Sequence, residues 1–347
     1  MSLPLQHPHL IQDPTFVTGT CLCFTQAFVL LSSSQFILLY AIPAGKARQG
    51  KQDRNSIVLG GIESLVQNMH GEDITEVEVE TRQDDMEDNL AHESAVTRAW
   101  ASMCKSRVRT SVTLGIVGAA LSATLIAPLP ISHDSVGFVL ALEHYDVTLH
   151  QPHPPGYFLY IMLGRLVQAM VGDGWTALWL LGIIGVGLAV AFIVRAGWEV
   201  TPGAGVATGV IALFSPLLLA AAARGETYTL ACALSAFIGW RVLRLRLTNC
   251  DKMKEVIIVS VAMAMMAGLR TTDAAFLLPL WSYGVLALGW RGLMIGITVG
   301  AMGTVSWLLP MVSLQPGGLP AIRHASSMLS SGWVAQFSRS SEVGLPC

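Results

Sequence analysis

The 347-residue sequence has few charged residues, 13% of the chain, where an average soluble domain has about 25%. The net charge of −2 argues neither for nor against nucleic acid, but the chain has no concentrated basic patch that would bind it. The six cysteines form no CxxC pair and no zinc-type spacing with histidine. These absences argue against an ordinary soluble domain, a zinc-stabilised or disulfide-rich domain, and a nucleic-acid partner.

Hydrophobic residues are abundant instead, at 52% of the chain, and they form long uncharged runs. Runs of about 20 apolar residues predict transmembrane helices. We therefore expect an all-α, polytopic membrane protein with about seven core transmembrane helices, further helices beside the membrane on the external side, and the lipid bilayer as its surroundings. The predicted spans cover residues 111–131, 175–194, 203–223, 229–240, 256–269, 274–290 and 292–313.

The N-terminal third differs in composition from the rest. Residues 1–44 contain an apolar run that is either one extra span or a disordered leader. Residues 45–109 are dense in acid and poor in aromatic residues, and such a segment cannot bury enough apolar surface to order itself. We predict a disordered, cytosolic segment there, with a carboxylate metal site as the alternative.

Basic residues set the predicted orientation, because they accumulate in cytosolic loops. A basic cluster precedes the first span, and the most basic loop, residues 241–254, follows the fourth. Both are cytosolic if residues 131–173 form an external loop and its apolar part, residues 157–171, lies in the interface without crossing. Residues 110–313 then form the membrane module, and residues 314–347 form an external segment that we expect to be truncated.

The external loop carries the candidate chemistry, since up to Tyr160 it contains carboxylates and histidines but no Lys or Arg. Asp134 follows the first span and suits a general base or a cation ligand, or alternatively the N-cap of a helix over residues 135–144. His153 precedes two prolines that restrict its backbone. Glu143 and Asp146 are interpreted as solvated or interfacial.

The spacing of Asp134, the run His-Pro-Pro-Gly-Tyr-x-Leu-Tyr from His153 and the following Leu-Gly-Arg-Leu resembles the GT-C superfamily of membrane glycosyltransferases. The protein O-mannosyltransferases and aminoarabinose transferases are the most similar members. Glu226-Thr227-Tyr228-Thr229-Leu230 also resembles a Glu-x-Tyr-x-Leu run of bacterial members. The resemblance covers about residues 110–335. It departs at Ser135, where the family often has Glu. Full-length family members also continue for several more spans or a soluble domain after the part that resembles this sequence, which stops at Cys347.

The resemblance implies an inverting transferase that moves a hexose, of mannosyl type, from a polyprenyl- or dolichyl-phosphate carrier to an unknown hydroxyl acceptor. The active site would face the non-cytosolic side of the endoplasmic reticulum or a bacterial inner membrane. It implies Asp134 and Glu226 as catalytic residues and His153 and Tyr228 as part of the substrate site. It implies no specific cofactor, and a divalent cation stays open as an alternative.

The leaving phosphate of such a reaction needs cations near the external interface, and the candidates are Arg165, Arg224 and Arg270. Two of them have an alternative role: Arg165 as a snorkelling interface residue, and Arg224 as an ion-pair partner of Glu226. Two other functions also stay open. A secondary transporter would use Asp134 and Glu226 as proton or cation sites, and a catalytically inactive fragment or scaffold would use neither.

Overall fold

The computed structural model describes residues 97–100, 102–328 and 331. The chain divides into two units, Met1–Lys105 and Ser106–Cys347. In the first unit, residues 97–100 and 102–103 are helical. The predictions for residues 1–44, for most of 45–109 and for the end of 314–347 lie outside the described residues.

The described part of the second unit is mostly helical and contains no strand, which confirms the predicted all-α class. Its only β pairing there is an isolated bridge between Asp146 and Gln151. The helices are α1 (Arg107–Ala123), α2 (His133–Glu143), α3 (Phe158–Val171), α4 (Gly174–Trp198), α5 (Pro202–Leu213), α6 (Pro216–Ala223), α7 (Tyr228–Leu247), α8 (Lys252–Leu269), α9 (Thr271–Val285) and α10 (Gly289–Leu314). Short 3-10 turns occupy Val147–Leu149 and Leu286–Leu288.

Local signals explain where several helices begin and end. Ser106, Asp173 and Thr201 accept backbone N–H groups at the starts of α1, α4 and α5, as N-cap side chains do. The first predicted span is wrong at its end, because α1 stops at Ala123 and does not reach residue 131. Pro128 and Pro130 follow within one to two turns and prevent a continuous helix through this stretch.

Neighbouring long helices alternate in direction. Glu199 at the end of α4 lies 2.8 Å from Arg107 at the start of α1, so these two helices are antiparallel. Arg241 of α7 lies 2.6 Å from Glu255 of α8, while Arg270 after α8 donates to Thr227 before α7. α7 and α8 are therefore also antiparallel. The bundle has two ends, each built from alternate connections.

The segment Thr271–Leu314 is helical along its length but reverses direction near Gly289. Gly296 lies against Trp281 and Ser260, although a straight helix would hold residues 281 and 296 about 22 Å apart. Gly289 has φ +63°, a conformation that suits a residue without Cβ. α9 and α10 thus form a helical hairpin packed on α8.

Close helix contacts in the bundle depend on small residues. A Cβ on Gly115 of α1 would lie 2.7 Å from the carbonyl oxygen of Gly187 in α4. A Cβ on Gly185 would lie 2.5 Å from the hydroxyl of Thr229 in α7. Small residues let helix backbones approach closely, which is a typical way to pack helices in a membrane. α4 therefore lies at the centre, between α1 and α7.

Two segments, Gly174–Trp198 and Thr271–Leu314, are long and apolar enough to cross a membrane. α5 and α6 qualify as a third if they count as one span, although they bend by 50° at Phe214–Ser215. The sequence predicted a single unbroken run here. The bend arises because Ser215 caps α6 and Pro216 occupies its first turn, so a new helix begins where the old one would continue.

Candidate functional site

The candidate site lies at the bundle end that carries the α1–α4 connection, the α6–α7 turn and the α8–α9 junction. Asp134 is in the first turn of α2, and its side chain is 41% exposed. Its predicted role as a helix N-cap is wrong, because the Ser132 hydroxyl accepts the Ser135 N–H at 3.0 Å and α2 begins at His133. The Asp134 carboxylate is therefore not used in capping and faces the loop that follows α2.

Ser132 connects this loop to the second predicted catalytic residue. Its hydroxyl lies 2.6 Å from Glu226 Oε1 and donates to it. The neighbouring hydroxyl of Ser135 donates to the carbonyl oxygen of Arg224, also at 2.6 Å. Tyr160 of α3 donates to the carbonyl oxygen of Gly225 at 2.7 Å. Three side chains thus hold the α6–α7 turn against the α1–α4 connection and place Glu226 beside Asp134.

Glu226 is buried at 4% exposure, unlike Asp134. Burial raises the pKa of the Glu226 carboxyl, and the charge of Asp134 acts in the same direction. The hydrogen bond from Ser132 and the positive charges of Arg224 and Arg270 oppose this shift but do not cancel it. The two carboxylates are therefore neighbours in different environments, an arrangement that assigns different roles to paired acids in enzymes.

His153 lies between Asp134 and Tyr157. Its Nδ1 is 3.5 Å from Asp134 Oδ1, and its Nε2 is 2.9 Å from the Tyr157 hydroxyl. Burial lowers the pKa of His153; Asp134 opposes this shift, while Arg270 and two other histidines reinforce it. A neutral ring that directs Nδ1–H towards Asp134 accepts a hydrogen bond from the Tyr157 hydroxyl at Nε2. The imidazole is thereby held in one orientation beside the carboxylate.

Tyr157 has a strained backbone, with φ +43°. A residue with a Cβ rarely adopts this left-handed conformation, and it persists only where surrounding contacts enforce it. Here the ring packs edge-on against Phe138 of α2, with the centroids 5.3 Å apart. The Tyr157 hydroxyl contacts His153, which lies beside Asp134, so the strained residue borders the candidate site, where such strain is common.

Arg270 is buried at 8% exposure and contacts residues on both sides of the junction between the α6–α7 turn and the start of α9. It donates to the Thr227 hydroxyl at 3.1 Å, lies 3.2 Å from Asp273, and stacks over the Tyr228 ring at 4.2 Å. Tyr228 is thus part of the cluster through a cation–π contact, and its role in the substrate site stays a prediction.

Arg224 is half-buried, and its guanidinium makes no hydrogen bond or ion pair with any described residue. The predicted ion pair with Glu226 is not formed within 4.0 Å, because Glu226 bonds to Ser132 instead. Within the part of the chain that is described, Arg224 is the cation of this cluster that is best placed to meet a ligand.

Arg165 does not join the cluster. Its Nε and Nη2 donate to the carbonyl oxygens of Leu142 and Ala141, at 2.8 and 3.1 Å. It therefore caps the C-terminal end of α2, about 12 Å along the helix from Asp134. The guanidinium is thus used on helix carbonyls that lack intrahelical partners, and the interpretation of Arg165 as a snorkelling residue stays a prediction.

Asp146 was expected to be solvated or interfacial, and this is also wrong. It is 7% exposed and accepts hydrogen bonds from Thr148 and from Gln315 Nε2, at 2.6 and 2.7 Å. Burial opposes its ionisation, but these hydrogen bonds lower the pKa of the Asp146 carboxyl overall. Gln315 also accepts the Val147 N–H at 2.9 Å. The end of α10 therefore fixes the loop that precedes His153.

Two residues of this end escaped the sequence reasoning. Ser132 had a usable signal, since serine is a preferred N-cap residue immediately before a helix. Gln315 had none, because its partner Asp146 is distant in the sequence.

Among the described residues, no group of three or more His, Cys, Asp or Glu side chains is arranged to hold a metal ion.

In comparisons with known proteins, no family model matches the chain, and neither a curated protein nor a solved structure does so.

Proposed function

We propose that this protein is an inverting glycosyltransferase of the GT-C type that uses a polyprenyl- or dolichyl-phosphate hexose as its donor. The observation that carries the proposal is the pairing of Asp134 and Glu226, contributed by two separate connections, joined through Ser132 and flanked by Arg224. An accessible carboxylate, a buried carboxylate and an unpaired guanidinium are the groups that transfer from a phosphate carrier requires.

The proposed topology has seven membrane passes: α1, α4, the bent α5–α6 pair, α7, α8, α9 and α10. The alternating directions of these helices support it, as does the hairpin at Gly289. The basic residues of α7 lie at the end opposite Asp134, and basic residues favour the cytosol. We therefore assign the site to the non-cytosolic face, with α3 beside the membrane.

In the proposed mechanism, the acceptor hydroxyl attacks the anomeric carbon of the donor sugar. Its proton passes to Asp134, whose side chain is accessible and oriented by His153. The bond between the anomeric carbon and the phosphate oxygen breaks, and the carrier phosphate leaves with that electron pair. Arg224 binds the departing phosphate, and the positive charge of the buried Arg270 contributes to its electrostatic stabilisation. A single displacement inverts the anomeric centre.

Glu226 is assigned a positioning role. Since burial raises its pKa, the protonated form is favoured relative to an exposed glutamate, and a carboxylic acid can donate a hydrogen bond to the substrate as well as accept one. Its contact with Ser132 aligns it with the N-terminal turn of α2, where Asp134 lies.

A secondary transporter is the second candidate. A transporter site would lie midway along broken helices, and the break at Phe214–Ser215 is the feature that favours it. The two carboxylates lie elsewhere, in the connections at one bundle end, which favours the enzyme.

The proposal is tested by incubating membranes that contain the full chain with radiolabelled polyprenyl-phosphate mannose and an extract of candidate acceptors. We expect loss of label from the carrier and its appearance in an acceptor. Arg224→Ala should weaken carrier binding by about 2 kcal/mol. The control is Arg323→Ala, an exposed arginine in the helical residues 318–328. Proton-coupled uptake without carrier consumption would instead establish the transporter.

A further inference from the structure

The bundle end opposite Asp134 contains a cavity of about 550 Å³ between α1, α4, α7 and α8. Its lining includes Arg107, Arg241, Arg244 and Lys254 together with the acidic residues Glu199, Glu255 and Asp251. The proposed transfer reaction makes no use of this cavity. What it can bind depends on how its charges are distributed between floor and rim.

The acidic residues of the floor are already paired. The side chains of Glu199 and Glu255 are 4% and 6% exposed. Glu199 Oε1 accepts from Arg107 Nη1 and from Trp240 Nε1, each at 2.8 Å. Glu255 Oε2 lies 2.6 Å from Arg241 Nε. Their negative charge is thus compensated inside the protein and projects little into the opening.

The third carboxylate is used locally. Asp251 Oδ1 accepts the N–H groups of Met253 and Lys254 at 3.1 and 3.2 Å and so caps α8. The cations, in contrast, reach the rim. Arg107 and Arg244 are 38% and 28% exposed, and Lys254 is exposed. Arg244 makes only a long ion pair, 3.6 Å from Glu255 Oε1. Arg107 and Arg241 compensate Glu199 and Glu255, so Arg244 and Lys254 stand against the single exposed carboxylate of Asp251 and leave the opening with a net positive charge.

We propose that this cavity binds a phosphate group carried by a larger molecule. Arg244 offers a planar pair of donors and Lys254 a compact charge, and phosphate accepts both kinds of contact. The cavity is larger than phosphate itself, so the rest of the ligand occupies the remaining volume. The source is either the headgroup of an anionic lipid or a soluble phosphate compound, and both present the same group to the same side chains.

The test uses the purified full chain in nanodiscs. Pyrophosphate is titrated into nanodiscs of neutral phosphatidylcholine, and in a separate arm bound lipid is measured after reconstitution with added phosphatidylglycerol. We expect binding in at least one arm and a roughly tenfold loss of affinity in Arg244→Gln, the loss of one charge-assisted contact. Binding of pyrophosphate identifies a soluble phosphate compound as the source, and retention of phosphatidylglycerol alone identifies a headgroup.

Lys254→Gln provides a second variant, because an exposed lysine can be replaced without disturbing the buried pair of Glu255 and Arg241. Its matched control is Lys252→Gln, which removes the same charge from the same helix turn outside the cavity. The control should retain affinity within about twofold. The proposal is overturned if neither probe binds, if the two cavity variants bind as the wild type does, or if Lys252→Gln weakens binding equally.

Discussion

At the residue scale, Asp134 and Glu226 differ in their surroundings, and this difference supports the separate roles that we propose for them. Asp134 has an exposed side chain and a histidine neighbour, whereas Glu226 is buried and receives a hydrogen bond from Ser132. The exposed group can meet an incoming hydroxyl, and the buried group can hold a substrate in place. Two substitutions separate these roles.

Asp134→Asn should abolish most turnover and leave carrier binding intact. General-base assistance is worth about 10² to 10⁴ in rate, and the amide keeps the shape of the side chain. Because Ser132 performs the capping, the change should not unfold α2. Steady-state kinetics should give a much lower kcat with a nearly constant KM.

The control for Asp134→Asn is Glu143→Gln, which neutralises an exposed carboxylate at the other end of the same helix. It should retain nearly all activity. Near wild-type turnover in Asp134→Asn, with an inactive Glu226→Gln, would assign the base to the α6–α7 turn instead.

Glu226 should make stability depend on pH. Its pKa is raised above 4.5 by burial, so between 4.5 and the higher folded pKa the folded state binds more protons than the unfolded state. Stability from this group is therefore full below pH 4.5 and is lost as pH rises through the folded pKa. Thermal unfolding followed across pH should show this fall in the wild type and a flatter curve in Glu226→Gln. Parallel curves for the two proteins would contradict the raised pKa.

At the scale of helices, contact between α4 and its neighbours depends on glycine. Gly185 lies against Thr229 and the backbone of Leu230, where an added Cβ would be 2.5 to 2.8 Å from three atoms. No flexible side-chain end is available to give way at Leu230, because the obstacle there is a backbone nitrogen. α7 begins next to Glu226, so its position against α4 also sets the position of the candidate site.

Gly185→Ala should therefore lower the free energy of unfolding of the detergent-solubilised protein by about 1 to 3 kcal/mol, the usual cost of overpacking, and so lower its unfolding temperature. The matched control is Gly300→Ala in α10, where nothing lies within 4 Å of the new methyl group. Alanine favours helix over glycine by about 1 kcal/mol, so the control should be neutral or stabilising. Equal unfolding temperatures in the two variants would show that the α4–α7 contact tolerates a wider spacing.

The loop before His153 is fixed by an interaction between distant elements. Gln315 at the end of α10 bonds to Asp146 and to the N–H of Val147. Gln315→Ala leaves both groups without this partner, and a buried unsatisfied group costs about 1 to 3 kcal/mol. We expect a lower unfolding temperature and faster proteolysis within residues 144–156. Gln168→Ala, on the half-buried surface of α3, is the control and should change neither measurement.

At the scale of the whole molecule, the two bundle ends have different chemistry. One carries Asp134, Glu226 and Arg224, and the other carries Arg107, Arg241, Arg244 and the cavity that we propose binds phosphate. A membrane between them would make the first external and the second cytosolic. The seven-pass proposal requires that these ends lie in different compartments.

Cysteine labelling tests this sidedness. In a cysteine-free background, Leu149→Cys introduces a thiol at a site that is 60% exposed, and Lys252→Cys introduces one at the opposite end. In sealed vesicles whose non-cytosolic face points outward, an impermeant maleimide should label position 149 and reach position 252 only after permeabilisation. Labelling of both positions from one side, or the reverse pattern, would contradict the seven passes.

Sequence alone was sufficient for the helical class and for most helix locations, because apolar run length, caps and prolines act within a few residues. It also predicted that Asp134 and Glu226 belong to connections on one side, since helix alternation and charge bias require no distant contacts. The tertiary structure decided the rest. Arg165 turns to the end of α2, Asp146 becomes buried against Gln315, and Ser132 joins Glu226 to α2. Each of these depends on which hydrogen-bonding group another helix brings within about 3 Å, and no local pattern encodes that distance.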